Sequence, residues 1–286
     1  MDLVMELLKS VLYGILQGIT EWLPISSTGH LILLNSVLPL NIYQDPVKDL
    51  EFWNMYKVVI QLGSILAVAV LFVKRLWPFS EHRTPAGKKS VFRLWAKIAL
   101  GTLPAAVAGL LLDEFVDRKL SGTLVVGIVL IVYGILFLIV ERKPRIPRIN
   151  EVKGIRGITA LLTGCFEALA IIPGTSRSGV TIIGGTLLGM SRPVATEFSF
   201  YLAVPLMTGA SLLKLAELPV SLNFHGIAVL LAGMISAFGV SLVVLRSLLN
   251  YVRNNDFRLF GYYRIVLGLM ILILSLIGAL PEGMIA

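Results

Sequence analysis

The sequence predicts an all-α, polytopic membrane protein. Of its 286 residues, 56% are hydrophobic and only 15% are charged, with a mean hydropathy of +0.86, whereas soluble domains are about a quarter charged. Six apolar segments reach or approach the length of about 20 residues that a transmembrane helix needs. Two further apolar stretches are each interrupted near the middle by a polar motif. We therefore expect residues 1–286 to form a single integral membrane domain with six transmembrane helices and two re-entrant helical hairpins.

The apolar segments set the order of the predicted elements. The six transmembrane helices are expected at 52–73, 96–112, 121–140, 194–216, 225–246 and 259–280. The interrupted stretches cover 1–38 and 157–190, and most of their arms are about 10–17 residues long. At about 1.5 Å per residue, such an arm extends roughly to the middle of the bilayer. Each stretch is therefore expected to enter the membrane and return to the same side.

Basic residues in the loops predict the orientation. Lys and Arg number seven in 74–97, six in 141–156 and three in 246–258. Cytoplasmic loops of membrane proteins are rich in these residues, so we expect the three loops to be cytoplasmic. The hairpin 1–38 then enters the membrane from the outside, and the hairpin 157–190 enters it from the cytoplasm. This topology accounts for the net charge of +8, and we expect no nucleic-acid partner.

The two halves of the chain predict an inverted internal repeat, approximately 1–140 and 157–280. Three pairs of landmarks match: GILQ from Gly14 with GCFE from Gly164, PISSTG from Pro24 with PGTSRSG from Pro173, and QLGSILAV from Gln61 with EFSFYLAV from Glu197. Each half contains one hairpin and three transmembrane helices, and the odd number inverts the second copy. Inverted repeats with broken helices carry their sites near the midplane of the bilayer.

Two polar motifs, PISSTGH at 24–30 and PGTSRSG at 173–179, predict an anion-binding site. Each precedes an apolar helix, so free backbone N–H groups and the positive end of the helix dipole point out of it. A charged side chain such as Arg177 is unfavourable in free energy within apolar sequence unless it pairs with a negative group. A phosphate group fits the geometry of its guanidinium. The alternative is that the hydroxyls only cap the helices while Arg177 pairs with Glu21 or Glu167. The predicted substrate-binding residues are Gln17, Ser26, Thr28, Ser176, Ser178 and Thr181.

A second group of residues predicts phosphoryl chemistry. Ser27 and His30 are three residues apart, which places both on one face at a helix start, and a serine beside a histidine can become a nucleophile. We expect Ser27, assisted by His30, to attack phosphorus, and we leave open that His30 activates water or attacks directly. Glu21 is ionisable in apolar sequence, so it would orient His30, act as a base or bind a divalent cation, Mg²⁺ or Ca²⁺. The predicted catalytic residues are Glu21, Ser27, His30 and Arg177.

Three stretches resemble the undecaprenyl-diphosphate phosphatase family linked to bacitracin resistance. They are EWLPISSTGH at 21–30, PGTSRSGVT at 173–181 and EFSFYLAVP at 197–205. The resemblance implies a membrane enzyme that removes one phosphate from a C55 isoprenyl diphosphate and so recycles the lipid carrier of cell-wall (peptidoglycan) synthesis. Many family members have Glu at position 17, where this chain has Gln17. We expect Glu167, the repeat counterpart of Gln17, to compensate.

The expected surroundings follow from the same resemblance. The partners would be a polyprenyl diphosphate lipid and the bilayer of the bacterial cytoplasmic (inner) membrane, with the active site open to the outer face. The alternative function is a transporter or flippase for a phosphate-bearing lipid, because inverted repeats with broken helices also serve transport. The small residues of GGTLLG, from Gly184, suit either a homo-oligomer contact or packing within the second hairpin.

Overall fold

A computed structural model describes residues 3–81, 83–142, 146–217 and 222–280. Two of the predicted cytoplasmic cations, Lys143 and Arg145, lie outside the described residues. The described chain is helical and contains no β-strand. Its α-helices are α1 Leu3–Thr20, α2 Ser27–Val37, α3 Pro46–Val59, α4 Gln61–Leu71, α5 Val73–Leu76, α6 Pro85–Leu120, α7 Thr123–Val140, α8 Gly157–Ala168, α9 Arg177–Leu187, α10 Arg192–Ala216, α11 Phe224–Asn254 and α12 Arg258–Leu276. Short 3₁₀ turns lie at Val152–Gly154 and Leu169–Ile171.

Seven helical segments in the described ranges are long and apolar enough to cross a membrane. Six of them, α3 with α4, α6, α7, α10, α11 and α12, coincide with the six predicted transmembrane helices. The seventh is α1, which the sequence analysis assigned to the first re-entrant hairpin. Its 18 residues extend about 27 Å, so its length and composition also fit a full crossing. The number of candidate crossings is therefore one more than predicted.

The lipid-facing surface is consistent with this assignment. Many large apolar side chains on the long helices are exposed, such as Leu110 and Leu111 on α6, at 73% and 75%. Soluble monomers rarely carry such extended apolar patches. The chain is therefore a multi-pass membrane protein.

The helices that follow the two polar motifs, α2 and α9, each begin after a serine whose backbone φ is positive. Ser26 has φ 72° and ψ 100°, and Ser176 has φ 66° and ψ 107°. A residue other than glycine rarely adopts positive φ, because Cβ crowds the backbone there. Each helix then runs for 11 residues. In both motifs the backbone therefore turns sharply just before the helix, and the two helices are equally long.

Helix packing is reciprocal between the halves of the chain. The N-terminal helix α1 packs along α11, while α8 packs along α6, and α7 packs against α12. In the predicted repeat, α1 corresponds to α8 and α6 to α11, so the first two contacts are the same pairing made from either half.

Glycines bring paired helices into close contact. A Cβ at Gly134 of α7 would lie 2.8 Å from the carbonyl oxygen of Gly261 on α12, and a Cβ at Gly261 would lie 2.9 Å from that of Gly134. Real Cβ atoms do not approach this closely, so a larger residue would separate the helices. The GGTLLG segment packs inside the second hairpin, where a Cβ at Gly184 would overlap the ring of Phe166.

Candidate active site

The two polar motifs meet although about 150 residues separate them along the chain. Arg177 Nη2 donates to Glu21 Oε1 at 3.1 Å, and only 10% and 6% of the two side chains are exposed. Ser178 Oγ lies 3.2 Å from the carbonyl oxygens of both Glu21 and Leu23. The second motif is therefore anchored on the backbone of the first.

The Glu21 carboxylate is the centre of this contact. Its Oε2 accepts from Gln17 Nε2 at 2.9 Å and from Ser27 Oγ at 3.0 Å, while Oε1 accepts from Arg177. Gln17 and Glu21 lie one helical turn apart, as the sequence predicts. The pairing of Arg177 with Glu21, which the sequence analysis named as an alternative, is thus present.

The Arg177 guanidinium is held from a second side. Its Nη1 donates to the backbone oxygen of Ser199 at 2.9 Å and lies 3.3 Å from Ser199 Oγ. Thr181 Oγ1 is 2.6 Å from the same Ser199 hydroxyl, and the Trp22 ring centroid is 5.4 Å from the guanidinium carbon. Ser199 belongs to the third matching stretch, EFSFYLAVP, but the sequence analysis did not single it out. The position of Arg177 is fixed by both halves of the chain.

His30 does not pair with Ser27, contrary to expectation. Its Nδ1 donates to the backbone oxygen of Ser26 at 2.7 Å, so Nε2 accepts from the hydroxyl of Tyr263, at 2.6 Å. The two rings are stacked, with planes 8° apart. The helix start directs the Ser27 hydroxyl to Glu21 and turns the imidazole toward α12. Of the two residues expected to form a couple, Ser27 therefore donates a hydrogen bond to Glu21 and His30 makes none to it.

A cavity of about 240 Å³ opens between the two motifs. Six of the predicted site residues line it: Glu21, Ser26, Ser27, Thr28, Ser176 and Arg177. The other four, Gln17, His30, Ser178 and Thr181, are buried and do not line it. The wall residues hold polar atoms without a partner among the described residues, namely Ser26 Oγ, Arg177 Nε and both carboxylate oxygens of Glu167.

The starts of α2 and α9 differ in their capping. Ser176 Oγ accepts from Gly179 N at 3.3 Å, which caps α9. No side chain caps α2 in the described structure, so first-turn N–H groups at Ser27 and Thr28 remain available beside the cavity. The alternative in the sequence analysis also had hydroxyl groups capping both helices. In the structure a hydroxyl caps α9 only.

Comparison with known proteins gives the family. Residues 10–270 match the model of a family described as bacitracin resistance protein BacA. The chain belongs to the BacA family. It is 47% identical to an undecaprenyl-diphosphatase of Acetivibrio thermocellus over 94% of this chain and 98% of the relative. It is 46% identical to those of Enterococcus faecalis, over 93% and 96%, and Streptococcus mutans, over 97% and 99%.

In this BacA-family chain a second buried arginine, Arg264 of α12, joins the two motifs. It is fully buried, and its Nη1 donates to the backbone oxygen of Pro24 at 3.3 Å. Its Nη2 donates to the backbone oxygens of Gly174 and Thr175, at 2.8 and 3.0 Å. The ring of Tyr133 lies over the guanidinium, 5.6 Å away. Arg264 therefore holds both turns together through their backbones.

The sequence analysis missed Arg264 and Tyr263, although one signal was available. Arg264 is a charge inside the predicted transmembrane helix 259–280, and such a charge is a functional candidate by default. Tyr263 carried no signal of its own, because a tyrosine in a membrane helix is ordinary. The contact with His30 depends on how α12 packs, which the sequence pattern does not specify.

Proposed function

We propose that this protein hydrolyses undecaprenyl diphosphate to undecaprenyl phosphate and inorganic phosphate. The observation that carries the proposal is the chain of contacts from Arg177 through Glu21 to Ser27 at the wall of a cavity between the two motifs. The BacA-family relatives named above are undecaprenyl-diphosphatases. Hydrolysis of this lipid would recycle the carrier of cell-wall precursors.

Binding of the diphosphate would use the positive groups around the cavity. Arg177 and the uncapped N-terminus of α2 supply charge and N–H donors, which suit phosphate oxygens. The hydroxyls of Ser26, Thr28 and Ser176 line the same space. Bound phosphate would compete with Glu21 for the Arg177 guanidinium and leave the carboxylate freer to act on Ser27.

The reaction would begin with Ser27. Its Oγ attacks the terminal phosphorus while Glu21 Oε2, 3.0 Å away, takes the hydroxyl proton. The bond from the terminal phosphorus to the bridging oxygen breaks, and undecaprenyl phosphate leaves with the electron pair. Water then hydrolyses the phosphoserine and releases inorganic phosphate. His30 would position the start of α2 through Ser26 and not act on Ser27. Catalysis of this kind rests mainly on positioning and charge stabilisation.

A divalent cation is part of the same proposal, and Glu167 is the residue that would hold it. Mg²⁺ is commonly bound by one or two carboxylates together with substrate phosphates. Both oxygens of Glu167 are buried without a described partner, and Glu167 lines the cavity. Glu21, the candidate ligand named from the sequence, already accepts three hydrogen bonds. The ion would supply charge neutralisation for the diphosphate, and Glu167 would thus compensate for Gln17.

The proposed architecture keeps six transmembrane helices and two re-entrant hairpins as inverted repeats, approximately 1–140 and 157–280. The reciprocal packing of α1 with α11 and α8 with α6 supports it, as do the matched backbones of Ser26 and Ser176. In this arrangement α1 and α2 form one hairpin in the cytoplasmic membrane, and the cavity opens to the outer face.

Thiol labelling tests this topology. After Cys165→Ser, single Val4→Cys and Asn41→Cys variants should react with an impermeant thiol reagent from the same side of the membrane. Labelling from opposite sides would make α1 a full crossing and end the re-entrant assignment.

Phosphate release tests the proposed function. The purified wild-type protein in detergent should release inorganic phosphate from undecaprenyl diphosphate, and a chelator should reduce the rate until Mg²⁺ or Ca²⁺ is restored. A Ser27→Ala variant should lose most of the release, and rapid quenching of the wild type should trap a phosphoserine. Transfer of intact lipid between leaflets without phosphate release would instead support the transporter alternative.

A further inference from the structure

A second cavity, distinct from the candidate active site, lies at the predicted cytoplasmic side. It has a volume of about 760 Å³ and is enclosed by α5, the start of α6, the 3₁₀ turn Val152–Gly154 and the start of α10. It shares no lining residue with the active-site cavity. Two of its described lining residues are acidic, and six are basic: Lys74, Arg75, Arg83, Arg93, Lys97 and Lys153.

Three of the basic side chains hold the walls together. Arg75 forms an ion pair with Glu197 of α10. Arg83 Nη2 donates to the backbone oxygens of Lys74 and Arg75, and Lys97 Nζ donates to that of Lys153 at 2.9 Å. These contacts connect α5 to α10 and α6 to the 3₁₀ turn, so they account for the shape of the cavity.

The other three basic side chains have no such role. Lys74, Arg93 and Lys153 are exposed, and their charged side-chain groups make no hydrogen bond or ion pair with a described residue, although the backbone oxygens of Lys74 and Lys153 accept from Arg83 and Lys97. They come from three separate elements, yet all line the same cavity. Three converging positive groups without a protein partner favour a multiply oxygenated anion such as a phosphate group.

An exposed aromatic cluster lies on the chain segments next to this cavity, without lining it. It consists of Trp77, Phe79, Phe92 and Trp95, which are 53%, 60%, 46% and 39% exposed. Successive rings meet edge to face, with centroids 5.4, 6.1 and 5.6 Å apart. Trp95 Nε1 donates to the backbone oxygen of Leu76 at 2.9 Å, which ties α6 to the end of α5. Tryptophan side chains such as Trp77 and Trp95 concentrate at the headgroup level of membranes.

We propose that this corner of the molecule binds an anionic phospholipid. The headgroup phosphate lies in the cavity beside Lys74, Arg93 and Lys153, and the upper acyl chains lie against the aromatic cluster. Topology alone explains an excess of positive charge in a cytoplasmic loop. It does not explain a formed cavity with three unpaired cations next to four exposed aromatic rings. The proposal is independent of the phosphatase activity.

Tryptophan quenching by brominated lipid tests the proposal directly. The chain has four tryptophans, and Trp22 and Trp53 are buried, so lipid quenching reports mainly on Trp77 and Trp95. The full chain is placed in phosphatidylcholine nanodiscs that contain equal fractions of brominated phosphatidylglycerol or brominated phosphatidylcholine. We expect the brominated phosphatidylglycerol to quench at least about twofold more, because the anionic lipid is enriched at the site. Equal quenching by the two lipids would overturn the proposal.

Charge-matched variants separate the cavity from general surface charge. The Lys74→Gln/Arg93→Gln/Lys153→Gln variant should lose the preference for brominated phosphatidylglycerol. The control Lys88→Gln/Lys89→Gln/Arg142→Gln removes three exposed charges outside the cavity and should keep it. Loss of the preference in both variants would assign it to diffuse charge and overturn the proposal. The wild-type comparison decides the matter even where a variant fails to fold.

Inorganic phosphate distinguishes a lipid headgroup from a free anion. Sodium phosphate and sodium chloride at equal ionic strength should weaken the preference equally, because both only screen charge. If inorganic phosphate removed the preference while chloride did not, the cavity would be a site for free phosphate and the lipid assignment would be wrong.

Discussion

At the level of single residues, the structure replaces the expected Ser27–His30 couple with a Ser27–Glu21 pair. The Ser27 hydroxyl donates to Glu21 Oε2, whereas both His30 nitrogens are occupied by Ser26 and Tyr263. A carboxylate can accept the serine proton, and an imidazole already held at both nitrogens is a positioning group. The two roles make different kinetic predictions.

A double-mutant cycle distinguishes these roles. Ser27→Ala and Glu21→Gln should each lower kcat/KM by on the order of 10²–10⁴-fold, and the double variant should be little worse than either, because residues that act as a unit are not additive. The His30→Gln loss should instead multiply with that of Ser27→Ala. The reverse pattern, with additivity for Glu21 and none for His30, would restore the couple expected from the sequence.

Arg264 gives a residue-level prediction about stability. Its guanidinium serves three backbone oxygens from both motifs, and Arg264→Leu would leave these acceptors buried and unpaired. We expect a loss of about 2–4 kcal/mol of stability, measured as a lower unfolding midpoint in detergent. Arg264→Lys, which keeps a donor, should recover part of the loss. The control Arg253→Leu, at the exposed end of α11, should change little; an equal loss there would contradict the role given to Arg264.

The sequence predicted the location of the candidate site well, because two similar polar motifs occur within apolar sequence. All ten predicted site residues are in or directly behind one cavity, since both motifs carry glycine and several hydroxyl residues inside apolar sequence. The exact hydrogen-bond partners were not predictable, because side-chain direction at the start of a helix depends on the helices packed against it. His30 shows this: α12, more than 200 residues away, supplies its Tyr263 contact.

At the level of helices, the site depends on two close crossings. Gly14 of α1 contacts Gly233 and Ser236 of α11, and Gly164 of α8 contacts Gly101 of α6 so closely that neither position has room for a Cβ. These glycines occupy corresponding positions in the predicted repeat. The crossings fix α1 and α8, the helices that precede the two polar motifs.

Glycine substitutions test the crossings. Gly164→Ala should force α8 away from α6, lower the unfolding midpoint, and reduce phosphatase activity by displacing the second motif. Gly239→Ala is the matched control, because a Cβ there meets nothing within 4 Å and alanine favours helix by about 1 kcal/mol. It should leave the protein as stable as the wild type or more so. Equal tolerance at both positions would contradict the packing described for α8.

The helices also show where sequence reasoning reaches its limit. Six apolar segments were located correctly because about 20 apolar residues in a row are an unambiguous signal. Length does not distinguish the first arm of the predicted first hairpin from a full crossing, since α1 has 18 residues. Its assignment rests on the charge alternation of the loops and on the sharp turn at Ser26, not on hydropathy.

At the level of the whole molecule, helices from the two halves of the chain pack against each other and bring the two polar motifs side by side. Each half contributes one wall of the active-site cavity, so neither half alone holds both Ser27 and Arg177. The inverted arrangement that we propose for the two halves is also used by transporters. What favours chemistry here is the hydroxyl of Ser27 beside a carboxylate, within reach of an anchored guanidinium.

The most direct test of this account is the rate of phosphate release from undecaprenyl diphosphate by purified Arg177→Ala. The variant should be slower by on the order of 10³-fold or more, because the guanidinium stabilises charge on the transferred phosphoryl group. Arg192→Ala, which also removes an arginine paired with a glutamate but lies outside the cavity, should stay near the wild-type rate. Near-normal turnover by Arg177→Ala would contradict the claim that the two motifs jointly form the phosphate site.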